Sequence, residues 1–144
     1  LVQRALPRLD EAAHRGDPDA IAVLRAVGAP LPSHEGWPAL ADSAPLAQRA
    51  RRLEALALLA APAARLQRAT RALWRLQLDA ANGFALADRR RALGAFRAGT
   101  FDPRVRARDT AAALEALLMA APRLPQRRPD TPRGTGLQRT SGGQ

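Results

Sequence analysis

The apolar residues of this chain are mainly alanine and leucine, and they recur every three or four positions between prolines and glycines. This spacing places them on one face of an α-helix. Isoleucine occurs once, tyrosine is absent, and no run alternates apolar and polar residues as a half-buried strand would. The pattern predicts an all-α domain, either a small helical bundle or a short helical-hairpin array of five to seven helices.

Alanine also sets how these helices pack. Apolar residues make up 47% of the 144 residues but aromatic residues only 3%, so we expect one domain whose helices approach closely through alanine. Cysteine is absent, which excludes disulfides and thiolate metal sites and gives no support for secretion. No apolar stretch is long enough to cross a bilayer. These features predict an intracellular protein, in the cytoplasm or in an organelle matrix.

Proline, glycine and capping residues predict where the first helices begin and end. Asp17-Pro18 is typical of a helix start, and Gly28 should end that helix near residue 27. After a loop over residues 33–38, a second amphipathic helix is predicted from about Pro45 to Ala61. The residues predicted on its buried side are Leu46, Leu53, Leu56 and Ala57, opposite Gln48, Arg51 and Arg52.

The best-patterned helix is predicted over residues 63–81, with Asn82-Gly83 as its C-terminal cap. Its apolar face consists of Leu66, Ala69, Leu73, Leu76 and Ala80. Arg68, Arg71 and Arg75 line the opposite face, and Arg65 lies at its edge.

Two more helices and a tail complete the predicted organisation. A short helix is expected over residues 87–98, ended by Gly99. Asp102-Pro103 predicts the start of a last helix that runs to about residue 121 and turns Leu114, Leu117 and Leu118 inward. Residues 122–144 are rich in Pro, Gly, Thr, Ser, Gln and Arg and predict a disordered basic tail. The helical domain is then 1–121, of which 43–121 forms basic amphipathic helices.

The charge of the chain is the main evidence on function. All 23 basic residues are arginine, against 13 acids, which gives a net charge of +10. Such an excess predicts an acidic partner, namely nucleic acid, an anionic membrane surface or an acidic protein. The absence of lysine carries less weight, because GC-rich codons explain it together with the abundance of Ala, Leu, Pro and Gly.

One segment resembles an ankyrin repeat. The residues at the family's spacing are Leu9, Ala12, Ala13, Gly16, Ala20, Ile21, Val23, Leu24, Gly28 and Ala29, and Gly36 to Leu40 resembles the opening of a following repeat. The resemblance implies that residues 9–40 form a hairpin of two short helices that turns at Gly16 and binds protein through Trp37 and His34.

The segment also departs from the ankyrin pattern. The usual Thr-Pro is replaced by Pro38-Ala39, and the next repeat loses phase by Pro45. A single repeat cannot bury both of its own faces. Residues 9–40 are therefore either part of a degenerate array or an ordinary helical hairpin with coincident spacing.

A more general resemblance concerns the arginine-rich helices separated by proline-rich loops, as between Pro30 and Pro45. In this respect the chain is similar to the small helical subunits of CRISPR Cascade-type complexes. That resemblance implies an accessory subunit of a ribonucleoprotein.

Catalytic patterns are missing from the sequence. His14 and His34 are the only histidines, and neither has a ligand spacing such as H-E-x-x-H. Ser33-His34-Glu35 are adjacent in a loop, where consecutive side chains diverge. The absence of lysine also rules out a Walker lysine. We therefore expect no catalytic site, no metal and no cofactor.

The arginine clusters carry the functional prediction, a non-catalytic basic accessory subunit of a large assembly that contacts the RNA backbone and other protein subunits. The alternative is an ankyrin-like protein-interaction module, or a structural subunit of a protein complex without nucleic acid. The residues predicted to meet the acidic partner are Arg65, Arg68, Arg71, Trp74, Arg75, Arg89, Arg90, Arg91, Arg104, Arg106, Arg108, Arg127, Arg128, Arg133 and Arg139.

Overall fold

A computed structural model describes residues 2–79, 81–82 and 89–125 of the chain. These residues form α1 (Val2–His14), α2 (Pro18–Ala26), α3 (Leu46–Leu58), α4 (Ala63–Trp74), α5 (Arg89–Ala92), α6 (Ala107–Ala120) and a 3-10 turn (Ala121–Arg123). The described part of the chain contains no β-sheet, only two isolated β-bridges. The predicted all-α class is therefore confirmed. Most of the predicted tail, residues 126–144, lies outside the described residues.

Helices α1 and α2 form a hairpin that turns at Gly16. This glycine has a φ of 85°, a left-handed conformation that suits a residue without a Cβ, and its N–H donates to the carbonyl of Ala13 at 2.9 Å. Asp17 then caps α2, because its carboxylate accepts from the N–H of Asp19 at 3.0 Å. The predicted start at Asp17-Pro18 is confirmed. The hairpin and α3 bury Ala13, Ala20, Ile21, Leu24 and Ala55 between them.

Helix α3 lies at the centre of the fold and contacts α2, α4 and α6. Its predicted apolar side is confirmed, since Leu46, Leu53, Leu56 and Ala57 are all buried. Around this side the main core assembles from α4, α6 and the buried ring of Phe96. The close packing through alanine expected from the composition occurs where α6 meets α3.

The inward face of α6 differs from the prediction. Leu114 is 47% exposed and Leu118 is 72% exposed, and Leu117 is only partly buried. The buried positions are instead Ala113, Ala116 and Ala120. Their small side chains let α6 approach α3 closely, while the leucines of α3 supply the bulk of the core. The prediction that Leu114 and Leu118 face inward is wrong for this reason.

Helix α4 is shorter than predicted and ends at Trp74. Arg75 and Leu76 form a turn, after which Gln77 forms an antiparallel bridge with Phe96. The backbone N–H of Leu78 donates to Ala95 at 2.8 Å. Leu76 in the turn and Leu78 beyond the bridge are both buried. Pairing with a distant segment overrides the helical spacing. Ala80 and Gly83, which were predicted near the end of the helix, lie outside the described residues.

The last two helices also begin or end away from their predicted limits. Helix α5 ends at Ala92, and Gly94, with a φ of 85°, follows it instead of Gly99; the predicted start at residue 87 lies outside the described residues. Helix α6 begins at Ala107 and not after Asp102-Pro103. Asp102 accepts from the N–H and the guanidinium of Arg104, so it closes a local turn and caps no helix.

Candidate functional site

A groove of about 440 Å³ lies between α3, α4 and the loop 37–42. We call it the arginine groove, because six arginines line it against one acid, Asp42. The arginines are Arg49, Arg52, Arg65, Arg68, Arg71 and Arg75, and the other lining residues are Trp37, Pro38, Ala39, Leu40, Leu56, Ala69 and Ala72. The groove therefore combines an apolar floor with strongly positive walls.

Helix α4 supplies most of the positive wall. Its residues Leu66 and Leu73 are buried in the core, which turns Arg68, Arg71 and Arg75 toward solvent on the other side. No carboxylate of the described residues forms an ion pair with these three arginines. Their guanidiniums are available to an anion at the rim of the groove.

Arg49 is a structural member of the groove. It is only 6% exposed, and its guanidinium donates to the carbonyls of Ala44 at 2.9 Å and Ala72 at 2.7 Å, to the carbonyl of Asp42, and to the Thr100 hydroxyl at 3.2 Å. Burial lowers its pKa, and the charge of Arg75 adds to this effect. Four of its five N–H groups are engaged in this way, so Arg49 holds the groove together more than it offers donors to a ligand.

Arg65 joins α4 to the loop that closes the groove. Its guanidinium donates to the carbonyl of His34, and to the carbonyl of Glu35 at 3.2 Å. It also lies 3.0 Å from Nδ1 of His34. His34, predicted to bind a protein partner, is thus engaged within the chain. Arg65 uses its N–H groups on this loop, so it contributes mainly positive charge to the groove.

Arg52 lies deeper than the rim and is placed by Trp37. Its Cζ is 4.6 Å from the centroid of the indole ring, a cation-π arrangement. Gly16 lies against both side chains, since a Cβ added there would come within 3.4 Å of each. Burial lowers the pKa of Arg52, and repulsion from Arg65 lowers it further. Within the described part of the chain, no hydrogen bond or ion pair engages its guanidinium.

Elsewhere on the surface, arginines pair with carboxylates of the chain. Arg51 contacts Asp17 at 2.9 Å and Asp19 at 3.0 Å, and the hydrogen bond to Asp19 raises its pKa. Arg104 contacts Asp102 at 2.7 Å, and this contact lowers the pKa of the carboxyl group to about 2. The positive charge of the arginine groove is therefore less compensated than that of these neighbouring surfaces.

Several predicted site residues lie away from the groove. Trp74 is 47% exposed on another side of α4, with its ring centroid 6.1 Å from that of Phe96. Arg90, Arg106 and Arg108 are exposed but do not line the cavity, and neither does Arg104. Arg89 and Arg91 belong to α5. Arg127, Arg128, Arg133 and Arg139 lie outside the described residues. The structure thus joins Arg65, Arg68, Arg71 and Arg75 in one site, while Trp74, Arg90, Arg104, Arg106 and Arg108 lie outside it.

The sequence-based prediction missed Arg49 and Arg52 as members of this site. A signal was present, because both residues lie three positions apart on α3, and the short connection 59–62 makes α3 and α4 neighbours. The arginines of two adjacent helices can then face the same groove. The position of the loop 37–42 above them has no comparable signal in the sequence.

The described residues include no group of three His, Asp or Glu side chains that could hold a metal ion. Ser33 accepts from the N–H of Glu35 at 3.2 Å, while His34 faces Arg65, so this tripeptide forms a loop turn. No described helix has the length and apolarity needed to cross a membrane.

Comparisons with protein-family models, with curated proteins and with solved structures find no match to this chain.

Proposed function

We propose that the protein is a non-catalytic, intracellular accessory subunit that contacts the backbone of RNA through the arginine groove, within an assembly containing other proteins. The observation that carries the proposal is the row of Arg68, Arg71 and Arg75, which are exposed on one side of α4 and have no carboxylate partner in the described chain. Guanidinium groups bind phosphate oxygens in pairs, with a geometry suited to a polyanion. Such contacts provide affinity without selecting a base sequence.

Repulsion within the groove supports the same proposal. Burial disfavours the charged form of Arg52, and the charge of Arg65 adds to this effect. A bound phosphate chain relieves this repulsion, because it places negative charge among the guanidiniums. Binding is therefore expected to fall steeply with salt concentration as counterions compete for the phosphates.

The test replaces Arg68, Arg71 and Arg75 together with glutamine and measures binding to RNA by fluorescence anisotropy over a range of salt concentrations. Loss of three phosphate contacts should reduce the slope of log K against log salt by about 2 to 3. The control variant replaces Arg8, Arg108 and Arg123, which are exposed outside the groove, and removes the same charge. An equal loss of affinity in both variants would contradict the proposal.

A second candidate function, a protein-interaction module that resembles an ankyrin repeat, is favoured by one observation on the hairpin. Val23 of α2 and Val27, which follows the end of this helix, are 44% and 56% exposed, so the hairpin presents apolar side chains on its surface. Trp37 favours this function less, because Arg52 covers its ring. If this module binds the partner proteins, replacing both valines with serine should release those proteins in high salt. If it does not, the change should release no protein and should leave RNA binding unchanged.

A further inference from the structure

We propose that the arginine groove accepts single-stranded nucleic acid, with one base inserted over the apolar floor beside Arg52 and the neighbouring phosphates on Arg68, Arg71 and Arg75. This inference rests on the proposed function and makes it more specific. It differs from backbone contact in general, because it requires a base to leave its stack and enter the cavity.

The floor of the groove is the first argument. Leu40, Leu56, Ala69 and Ala72 are among its lining residues and give the groove an apolar part. A duplex presents phosphates and keeps its bases paired inside, so it would leave this apolar surface uncovered. The volume of about 440 Å³ lies in the range of small-molecule sites. A base with its sugar can occupy a cavity of this size.

Arg52 provides the second argument. One side of its guanidinium lies against the indole of Trp37, and the group borders the cavity without a hydrogen-bond partner among the described residues. Bases in single-stranded complexes stack on aromatic rings and on guanidinium planes. Burial lowers the pKa of Arg52, which means that its charged form is disfavoured in the groove. A neighbouring base and phosphate would offset this effect.

The spacing of the rim arginines gives the third argument. Seven residues of helix separate Arg68 from Arg75, a distance of about 10 Å along the axis of α4. Successive nucleotides in a stacked strand advance about 3.4 Å, so the row spans about three of them. A second cavity of about 250 Å³ shares Leu40 and Arg52 with the groove and extends the path toward Gly16. A strand can therefore enter along α4 and continue past Arg52.

The experiment compares a labelled single-stranded RNA of about 12 nucleotides, the same RNA annealed to its complement, and inorganic polyphosphate of similar charge. We expect the single strand to bind about tenfold more tightly than the duplex, the contribution of about one stacked base. If all three polyanions bind equally but depend on Arg68, Arg71 and Arg75, this inference is overturned and the proposed function stands. If none depends on these arginines, the proposed function itself fails.

A variant without a charge change separates the floor from the rim. Ala69→Leu fills the partly buried floor of the groove and should weaken binding of the single strand about tenfold while polyphosphate binding is unchanged. Weakening of both in equal measure would count against the inference. Circular dichroism and the melting temperature check that this variant folds.

Fluorescence provides a measurement that does not depend on that variant. Trp74→Phe leaves Trp37 as the single tryptophan of the chain. A base beside Arg52 should quench the emission of Trp37, and polyphosphate should not. Unchanged emission on saturation with the single strand overturns the inference.

Discussion

Arg52 lies over the indole of Trp37, with its Cζ 4.6 Å from the ring centroid, and this contact joins α3 to the loop that covers the groove. The indole also packs against both groups of buried side chains, the one around α1 and α2 and the one around α3, α4 and α6. The position of the partly buried cation therefore depends on the packing of the whole domain.

Gly16→Ala tests how tightly this contact is enclosed. The φ of 85° disfavours alanine, and the added Cβ would lie 3.4 Å from Arg52 and from Trp37. We expect a loss of about 1 to 2 kcal/mol in the free energy of unfolding, measured by urea denaturation. Gly28→Ala is the matched control, because its φ of 68° is similar but its Cβ would meet no atom within 4 Å. RNA affinity should fall only for the Gly16 variant.

Arg49→Lys tests whether Arg49 is structural. Lysine keeps the charge but cannot reach the carbonyls of Ala44 and Ala72 and the Thr100 hydroxyl together. We expect the free energy of unfolding to fall by about 2 to 3 kcal/mol, because buried acceptors lose their donors. Arg68→Lys, at an exposed position of the same groove, should leave stability within about 0.5 kcal/mol. Equal stability of the two variants would refute the structural role.

Ala116→Leu tests the close approach of α6 to α3. Ala116 is fully buried, so a larger side chain must displace a helix, and we expect a loss of about 1 to 3 kcal/mol by chemical denaturation. Leu118→Ala is the opposite case. Because Leu118 is 72% exposed, its truncation should cost less than about 0.5 kcal/mol. If Leu118→Ala proves the more damaging change, leucine and not alanine forms the buried face.

Glu54→Gln tests the pH dependence of stability. Burial raises the pKa of Glu54, and the charges of Glu115 and Asp19 raise it further against the opposing effect of Arg51. A raised pKa in the folded state means that the stabilising contribution is present at low pH and is lost as pH rises through that pKa.

The melting temperature of Glu54→Gln should therefore exceed that of the wild type at neutral pH, and the difference should shrink below about pH 4. Glu35→Gln, at an exposed loop position, is the control. A difference in melting temperature that is constant across this range would show that ionisation of Glu54 does not destabilise the folded state.

The parts of the fold that the sequence predicts are those fixed by local spacing. The apolar face of α3 follows from Leu46, Leu53 and Leu56, and the start of α2 follows from Asp17 and its proline. The end of α4 does not, because the spacing of Leu76 suits a longer helix, and the chain instead turns there so that Gln77 can pair with the distant Phe96. Tertiary pairing outweighs local preference at this point.

The candidate site was predictable in part for the same reason. Arg68, Arg71 and Arg75 lie on one helix face, and their grouping can be read from their spacing. The roles of Arg49 and Arg52 depend on which acceptors and rings the loop brings near them, and spacing contains no such information. Two arginines three positions apart on α3 thus have different functions, one bonded to carbonyls and one open to the groove.

Arginines also hold the carboxyl-terminal ends of the two helices that border the groove. Arg25 donates to the carbonyl of Leu58 at 3.2 Å, and Arg49 and Arg97 donate to those of Ala72 and Arg75 at 2.7 and 3.3 Å. The isoelectric point of this protein therefore cannot be lowered freely by exchanging arginine for neutral residues. A variant designed for less non-specific binding during purification should change the arginines at the rim of α4 and keep these three residues. Their loss would remove hydrogen bonds from the helix ends together with the charge.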